Sequence, residues 1–327
     1  MIVRYIFEGT NYQIGCQIGE LFKPKIDEYI SMVKDKVGDI SSRLVRVAKL
    51  ISAYYPNEYN ELYGIAKSTN HSIIDILLLD EESCRNTYEK CTTFAGNTQF
   101  GEFLAHNEDW DLGFDKYIYI AKIVPKNGVE FLTMSYVGLP GSSVVVNRFG
   151  ISFSGNALFN KPPIMGIPKS VMLRNLCESV SISDFQNRSI KCKLLSVSNH
   201  SVVIDKSGGV VSIEMLVDGH DIKLQIHDKK LPFAHTNHFL YHGNVDDISL
   251  SRIKNSKERL TFINKMLNQS LTHRKIKNIL KYHGNDNLIC RHGEVQTIAS
   301  AIVYPQDRSM FACVGNPCVN EYQNFEL

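Results

Sequence analysis

Apolar residues recur at helical spacing through most of residues 1–90. The spacing predicts helices over 12–37, following Gly9-Thr10-Asn11, and over 41–54, halted by Tyr55-Pro56. A third is predicted over 72–82, with Ser72 as its N-cap. The pattern changes at Cys91. Short apolar runs then alternate with turn residues, predicting strands at 91–95 and 100–106 joined by Gly96-Asn97. Further strands are predicted at 117–124, 129–137, 143–147 and 151–154, with Lys126-Asn127-Gly128 as a hairpin turn. Two helices follow at 169–180 and 182–191, the second capped by Ser181 and Asp184. Strands resume at 201–204, 210–216, 222–226 and 233–236, the first pair joined across Asp205–Gly209. Helices at 251–267 and 272–282 precede two last strands, 297–304 and 309–314. Blocks of antiparallel hairpins separated by helix pairs argue for an α+β fold, with two sheets face to face and helices outside. There is no repeat, low-complexity tract or linker, so residues 1–327 read as one domain.

Composition narrows the function classes without choosing among them. The 327 residues are 43% hydrophobic and 21% charged, which is ordinary globular usage. Lys and Arg outnumber Asp and Glu by only 36 to 34, and no basic patch or nucleic-acid module stands out, which argues against nucleic-acid binding. The longest apolar runs, such as 73–79, are too short to span a bilayer. Arg4 interrupts the first apolar run and no small-residue cleavage site follows, so the reading is a soluble, cytoplasmic protein. The 8 cysteines (16, 84, 91, 177, 192, 290, 313 and 318) contain no CxxC pair and do not resemble a disulfide framework.

The stretch CTTFAGNTQFGEFLAHNEDWD, residues 91–111, carries the candidate chemistry. A thiol heads one strand of the hairpin, and Asn107, Glu108, Asp109 and Asp111 follow the other. Cys91 is either a small buried hydrophobe or a nucleophile. A thiol needs a base or a lowered pKa to attack. One route is a His partner, of which the chain has 11. The other is a cut before Cys91, whose new α-amino group, of pKa about 8, would serve as the base. The change from helices to strands at Cys91 suits the second route.

Cys91-Thr92-Thr93 with His106-Asn107-Glu108-Asp109-Trp110 resembles the acyl-coenzyme A:6-aminopenicillanic acid (isopenicillin-N) acyltransferase family. This is a family of self-processing N-terminal-nucleophile hydrolases, in the wider group that includes choloylglycine hydrolases. Gly9-Thr10 with Gly15, Gln17 and Gly19, then residues 150–156, Gly166-Ile167-Pro168 with Arg174, and residues 199–214 are similar to further segments of the family. So are His235–Phe239, Cys290-Arg291-His292 and Gly315–Cys318. The resemblance implies a four-layer αββα fold and self-cleavage between Lys90 and Cys91. A pro-segment (1–90) and a catalytic chain (91–327) would result. It implies that Asp109 holds the Cys91 thiol and amine, that Asn237 supplies an oxyanion N–H with Asn156 nearby, and that Arg291, ahead of Arg259, steers the substrate or the pro-segment. No cofactor is implied. The substrate would be a linear amide: an N-acyl amino acid, a small peptide or a β-alanyl-type amide. Hydrolysis is favoured, because water needs no acceptor site, and acyl transfer from coenzyme A is the alternative. His106 stands where choloylglycine hydrolases have Arg, and Glu108 is an extra carboxylate.

Two readings from other classes stay open. His235, His238 and His292, with Cys290, are candidate ligands of a metal-dependent hydrolase, although no HExxH or CxxC spacing supports them. A binding protein in which Cys91 stays internal is the other. The expected partners are a small-molecule amide or thioester and the two pieces of the chain itself, with homo-oligomerisation left open.

Overall fold

The first long helix, α1 (Asn11–Lys34), starts where its capping residues dictate. Thr10 Oγ1 accepts from the Gln13 backbone N–H, and the Gln13 side chain accepts from that of Thr10. Such a reciprocal cap contributes about 1 kcal/mol. Helix α2 (Ser41–Tyr54) follows the predicted span. Helix α3 (Pro56–Thr69) does not appear in the sequence reading, which took Pro56 only as a stop. Proline at the first helical position loses nothing, because that N–H has no intrahelical acceptor. Helices α1 and α3 touch backbone to backbone. A Cβ on Gly15 would lie 1.9 Å from the Glu61 carbonyl oxygen, and one on Gly64 would lie 2.2 Å from that of Tyr12. Helix α4 (Ile73–Leu78) starts from the Ser72 cap, as expected, but is shorter than predicted.

The structure is a computed structural model that describes residues 2–35, 40–80, 91–158, 164–243, 250–284 and 288–327. The predicted cleavage residue Lys90, together with Cys84 and the end of the third predicted helix, lies outside the described residues. None of the described helices is long and apolar enough to cross a membrane.

Two sheets form the centre. The larger runs in the order β1 (Arg4–Gly9), β4 (Ile118–Pro125), β5 (Phe131–Tyr136), β6 (Ser142–Asn147), β7 (Ser152–Ala157), β8 (Asn199–Ile204), β9 (Val210–Asp218), β10 (Asp221–Lys229). Only β1 pairs in parallel, against β4. The smaller runs β11 (Phe233–His235), β2 (Thr92–Thr98), β3 (Gly101–Asp111), β12 (Val295–Tyr304), β13 (Ser309–Val314), β14 (Gln323–Glu326). The sheets meet through β2, β3, β12 and β13 on one side and β4–β7 on the other. Helices α1, α5 (Lys169–Leu176) and α6 (Ile182–Lys191) pack on the larger sheet. Helices α7 (Leu250–Leu267) and α8 (His273–Leu280) pack on the smaller. The order of layers is αββα, an α+β fold.

One apolar core fills the space around the larger sheet. A second, built on Phe94, Phe103, Ile263, Leu267, Ile276 and Ile279, lies between the smaller sheet and α7 and α8. Strands β1 and β14 are additions to the predicted set, and both are short outer strands of their sheets. Edge strands pair on one side only, so neither shows the long apolar run of a central strand.

Candidate active site

The hairpin that begins after Cys91 closes later than its sequence suggests. The turn is Gln99-Phe100, not Gly96-Asn97, and Gly101 supplies the positive φ (107°) that closes it. Gly96 instead sits within β2, where a Cβ would approach 2.9 Å from the Phe103 ring. The later turn resets the register. Thr92 pairs with Asn107 and Thr93 with His106, so Cys91 stands across from Glu108. Strand β3 also continues to Asp111 instead of ending at His106, because β12 pairs with it along that length. The polar cluster therefore lies inside a strand and alternates between its two faces.

One face of this cluster is buried between the sheets. The Cys91 thiol donates to Glu108 Oε1 at 3.3 Å. The Tyr136 hydroxyl donates to the same oxygen at 2.9 Å, and His106 Nε2 lies 2.9 Å from Glu108 Oε2. His106 Nδ1 is 2.8 Å from the Thr93 hydroxyl, which also reaches Ser154 Oγ (2.9 Å) and donates to Asn156 Oδ1 (2.7 Å). Cys91, His106, Thr93, Ser154 and Asn156 are wholly buried. Burial pushes the Glu108 carboxyl up, but the His106 hydrogen bond and charge, Ser143 and Lys169 outweigh it and hold the group below the usual range. The Cys91 thiol thus meets a buried carboxylate, whereas the Cys177 thiol donates to the Leu173 carbonyl four residues earlier.

The next residue, Asp109, is turned to the other face. Its Oδ1 accepts from Thr297 Oγ1 at 2.6 Å, and its Oδ2 lies 3.9 Å from Arg291 Nε. Burial raises its pKa to about 6, against the opposing pull of Arg291, Arg259 and Thr297. The carboxylate that meets the thiol is therefore Glu108. The two arginines are placed differently. Arg259 is wholly buried on α7, and its Nη1 donates to the Cys91 carbonyl (2.6 Å) and to Thr92 Oγ1 (2.9 Å). Its Nη2 donates to Asn237 Oδ1 at 2.7 Å. Arg291 Nη1 reaches Asn255 Oδ1 at 2.9 Å, the acceptor that Arg259 Nε also uses at 3.0 Å.

The two amides also differ. Arg259 is donor-only, so it fixes which end of the Asn237 amide is oxygen. The Asn237 NH₂ group therefore points away from Arg259 and donates to the Ala157 carbonyl at 3.0 Å, with a second hydrogen to give. Asn156 Nδ2 donates to both the His235 (3.2 Å) and Thr236 (3.0 Å) carbonyls, which uses both its hydrogens. Asn156 thus clamps the segment leading to Asn237 onto Thr93. The sequence reading gave Thr93 no role beyond its place in the Cys91-Thr92-Thr93 motif and did not single out Tyr136. Once the turn is placed correctly, strand pairing alone brings Thr93 opposite His106.

The histidines proposed as metal ligands do not meet. His235 Nε2 bonds Glu214 Oε1 at 2.9 Å and its ring stacks on His200, while His238 Nδ1 lies 2.8 Å from Ser256 Oγ. His292 lies with Cys290, His283 and Cys318 instead. Among the described residues one other group has metal-ligand spacing: Cys91, His106 and Glu108. A cavity of about 30 Å³ adjoins the thiol's partner, walled by Glu108, Trp110, Tyr136, Leu139, Leu173 and, from before Cys91, Asp80.

The sequence profile of the family described as acyl-coenzyme A:6-aminopenicillanic acid acyl-transferase matches residues 95–318. Similar solved structures include a variant of conjugated bile acid hydrolase from Clostridium perfringens, at 13% identity and a TM-score of 0.48, covering 72% of this chain and 97% of that one. Penicillin V acylase from Agrobacterium tumefaciens aligns at 11% identity and 0.49, covering 72% and 86%. The Caenorhabditis elegans ortholog of N-acylethanolamine-hydrolyzing acid amidase aligns at 13% and 0.46, covering 66% and 93%.

Proposed function

The chain belongs to the acyl-coenzyme A:6-aminopenicillanic acid acyl-transferase family, and from that premise we propose that it is a self-processing amide hydrolase or acyl transferase with Cys91 as nucleophile. The observation that carries this reading is the setting of Cys91. Its thiol faces a buried Glu108–His106 pair, and its carbonyl is pinned by Arg259, which also orients Asn237.

In processing, the Cys91 sulfur adds to the Lys90 carbonyl and the peptide C–N bond breaks as a thioester forms. Water then hydrolyses the thioester, leaving a carboxylate on Lys90 and a free amine on Cys91. In turnover that amine takes the thiol proton, and the thiolate attacks the carbonyl of a linear amide or thioester. The remaining Asn237 N–H and a backbone N–H hold the oxyanion, and the proton passes to the leaving amine or thiol. Water then releases the acyl group; an amine in its place makes the reaction a transfer. Hydrolysis is the favoured outcome, on N-acyl amino acids, small peptides or β-alanyl-type amides. Incubation of processed enzyme with amide and acyl-thioester panels, followed by denaturing mass measurement, tests the reading. An acyl adduct on the peptide starting at Cys91 is expected. Turnover with no adduct there, and none after rapid quenching, overturns it.

The two pieces are expected to remain together after the cut. Strand β1 is hydrogen-bonded into the larger sheet, Arg43 Nη2 donates to the Ile164 carbonyl, and Asn175 Nδ2 donates to Glu58. Two bands on a denaturing gel should co-elute as one peak in size exclusion. Separate elution would show that the sheet is not held by these contacts.

A further inference from the structure

We infer that His283, Cys290, His292 and Cys318 form a zinc site that ties the segment ahead of β12 to the turn after β13. The donor atoms of all four residues lie within 4.8 Å of one another. His292 Nε2 is 3.8 Å from Cys290 Sγ and 3.4 Å from Cys318 Sγ. A tetrahedral zinc with its usual bond lengths to sulfur and nitrogen sets those edges at about 3.6 Å. One imidazole nitrogen carries at most one hydrogen, so it cannot donate to both sulfurs at once. A shared cation explains why both converge on it. The His283 ring lies beside that of His292, with centroids 4.8 Å apart. Two thiols and two imidazoles make the closed Cys₂His₂ set of a structural zinc, soft enough to exclude magnesium and calcium.

The surroundings fit a charged sulfur. Cys290 Sγ receives the Cys318 backbone N–H and, at 3.8 Å, the Asn316 side-chain amide. The site has a consequence for the nucleophile's surroundings. Arg291 lies between two of the ligands, and its carbonyl accepts from Asn316 Nδ2 at 2.6 Å. Zinc would therefore fix the loop that holds the Arg291 guanidinium against Asp109.

Metal analysis and native mass of the full protein, purified under reducing conditions without chelator, test this. One zinc per chain is expected. It should be lost in Cys318→Ser and in His283→Gln and retained in Cys91→Ala, which separates this site from the Cys91–His106–Glu108 group. Cobalt substitution should give a thiolate charge-transfer band that weakens in Cys318→Ser. Three results would overturn the inference: wild type that stays metal-free after reconstitution with zinc; a mass two hydrogens low with peptide mapping that places a disulfide at Cys290–Cys318; or zinc that survives both ligand variants.

Discussion

Cys91→Ala is expected to stay a single uncut chain of full mass, while the wild type yields two pieces divided between residues 90 and 91. Turnover should fall by at least on the order of 10⁴-fold, because removing a nucleophile removes the covalent route and leaves only binding and oxyanion stabilisation. The change should cost little stability. Alanine keeps most of the volume, and the lost hydrogen bond is one of several that Glu108 accepts, since His106 and Tyr136 remain. Intact mass under denaturing conditions reads the cleavage, and amide turnover by the native protein reads the activity. A variant that is still cut at the same bond would end the case for Cys91 as processing nucleophile. A wild type that is never cut, with Cys91 unreactive to thiol reagents, would favour the reading of Cys91 as an internal residue.

Arg174→Ala is expected to cost the fold about 3–5 kcal/mol, the range for breaking a buried ion pair from one side. Arg174 is 1% exposed. Its Nε donates to Glu61 Oε2 at 2.9 Å and its Nη1 to Glu178 Oε1 at 2.9 Å, and its guanidinium lies 4.9 Å above the centre of the Phe131 ring. Glu61 belongs to α3, before the proposed cut, and Arg174 to α5, after it. The pair therefore joins the two pieces through the core. Burial already raises the Glu61 pKa despite the opposing charge of Arg174. A carboxyl raised in this way binds its proton more tightly in the fold than in the unfolded chain, so its cost to stability grows as pH rises through the window between the two values. Without Arg174 the window widens upward. The deficit should be largest near neutral pH and shrink in acid, which denaturant melts at two pH values measure. Equal deficits at both would show that lost packing, not the stranded carboxylate, is responsible. In the processed enzyme the same change should loosen the co-elution of the two pieces.

Much of this architecture was legible in the sequence, for identifiable reasons. Helix spacing with a Thr10 or Ser72 cap, and strand runs bounded by Lys126-Asn127-Gly128 or Asp205–Gly209, are local signals, and the elements they mark formed. The switch from helices to strands at Cys91 located the residue on which the proposed chemistry turns, and the match of the family profile over residues 95–318 agrees with the resemblance read from scattered motifs. Other features depended on contacts between distant segments. The hairpin turn had two chemically acceptable positions, and packing of Phe103 on Gly96 chose the later one. That choice set Glu108 opposite the thiol, where the earlier turn would have set Glu102. A one-residue step along a strand reverses the face a side chain occupies, so catalytic geometry in a sheet follows register. Arg259 shows the same limit from a helix. Only Arg291 stands in a segment that resembles the family, yet the approach of α7 to β2 placed Arg259 on the Cys91 carbonyl. His283, Cys290, His292 and Cys318, spread over 36 residues without a CxxC pair, were likewise invisible as a group until the segments around β12 and β13 brought them together. What the sequence by itself determined was most of the elements and the position of the candidate thiol, because those follow from periodicity and caps within a few residues. What only the tertiary structure decided was which side chains face that thiol and which face one another, because that depends on register and helix docking between residues far apart in the chain.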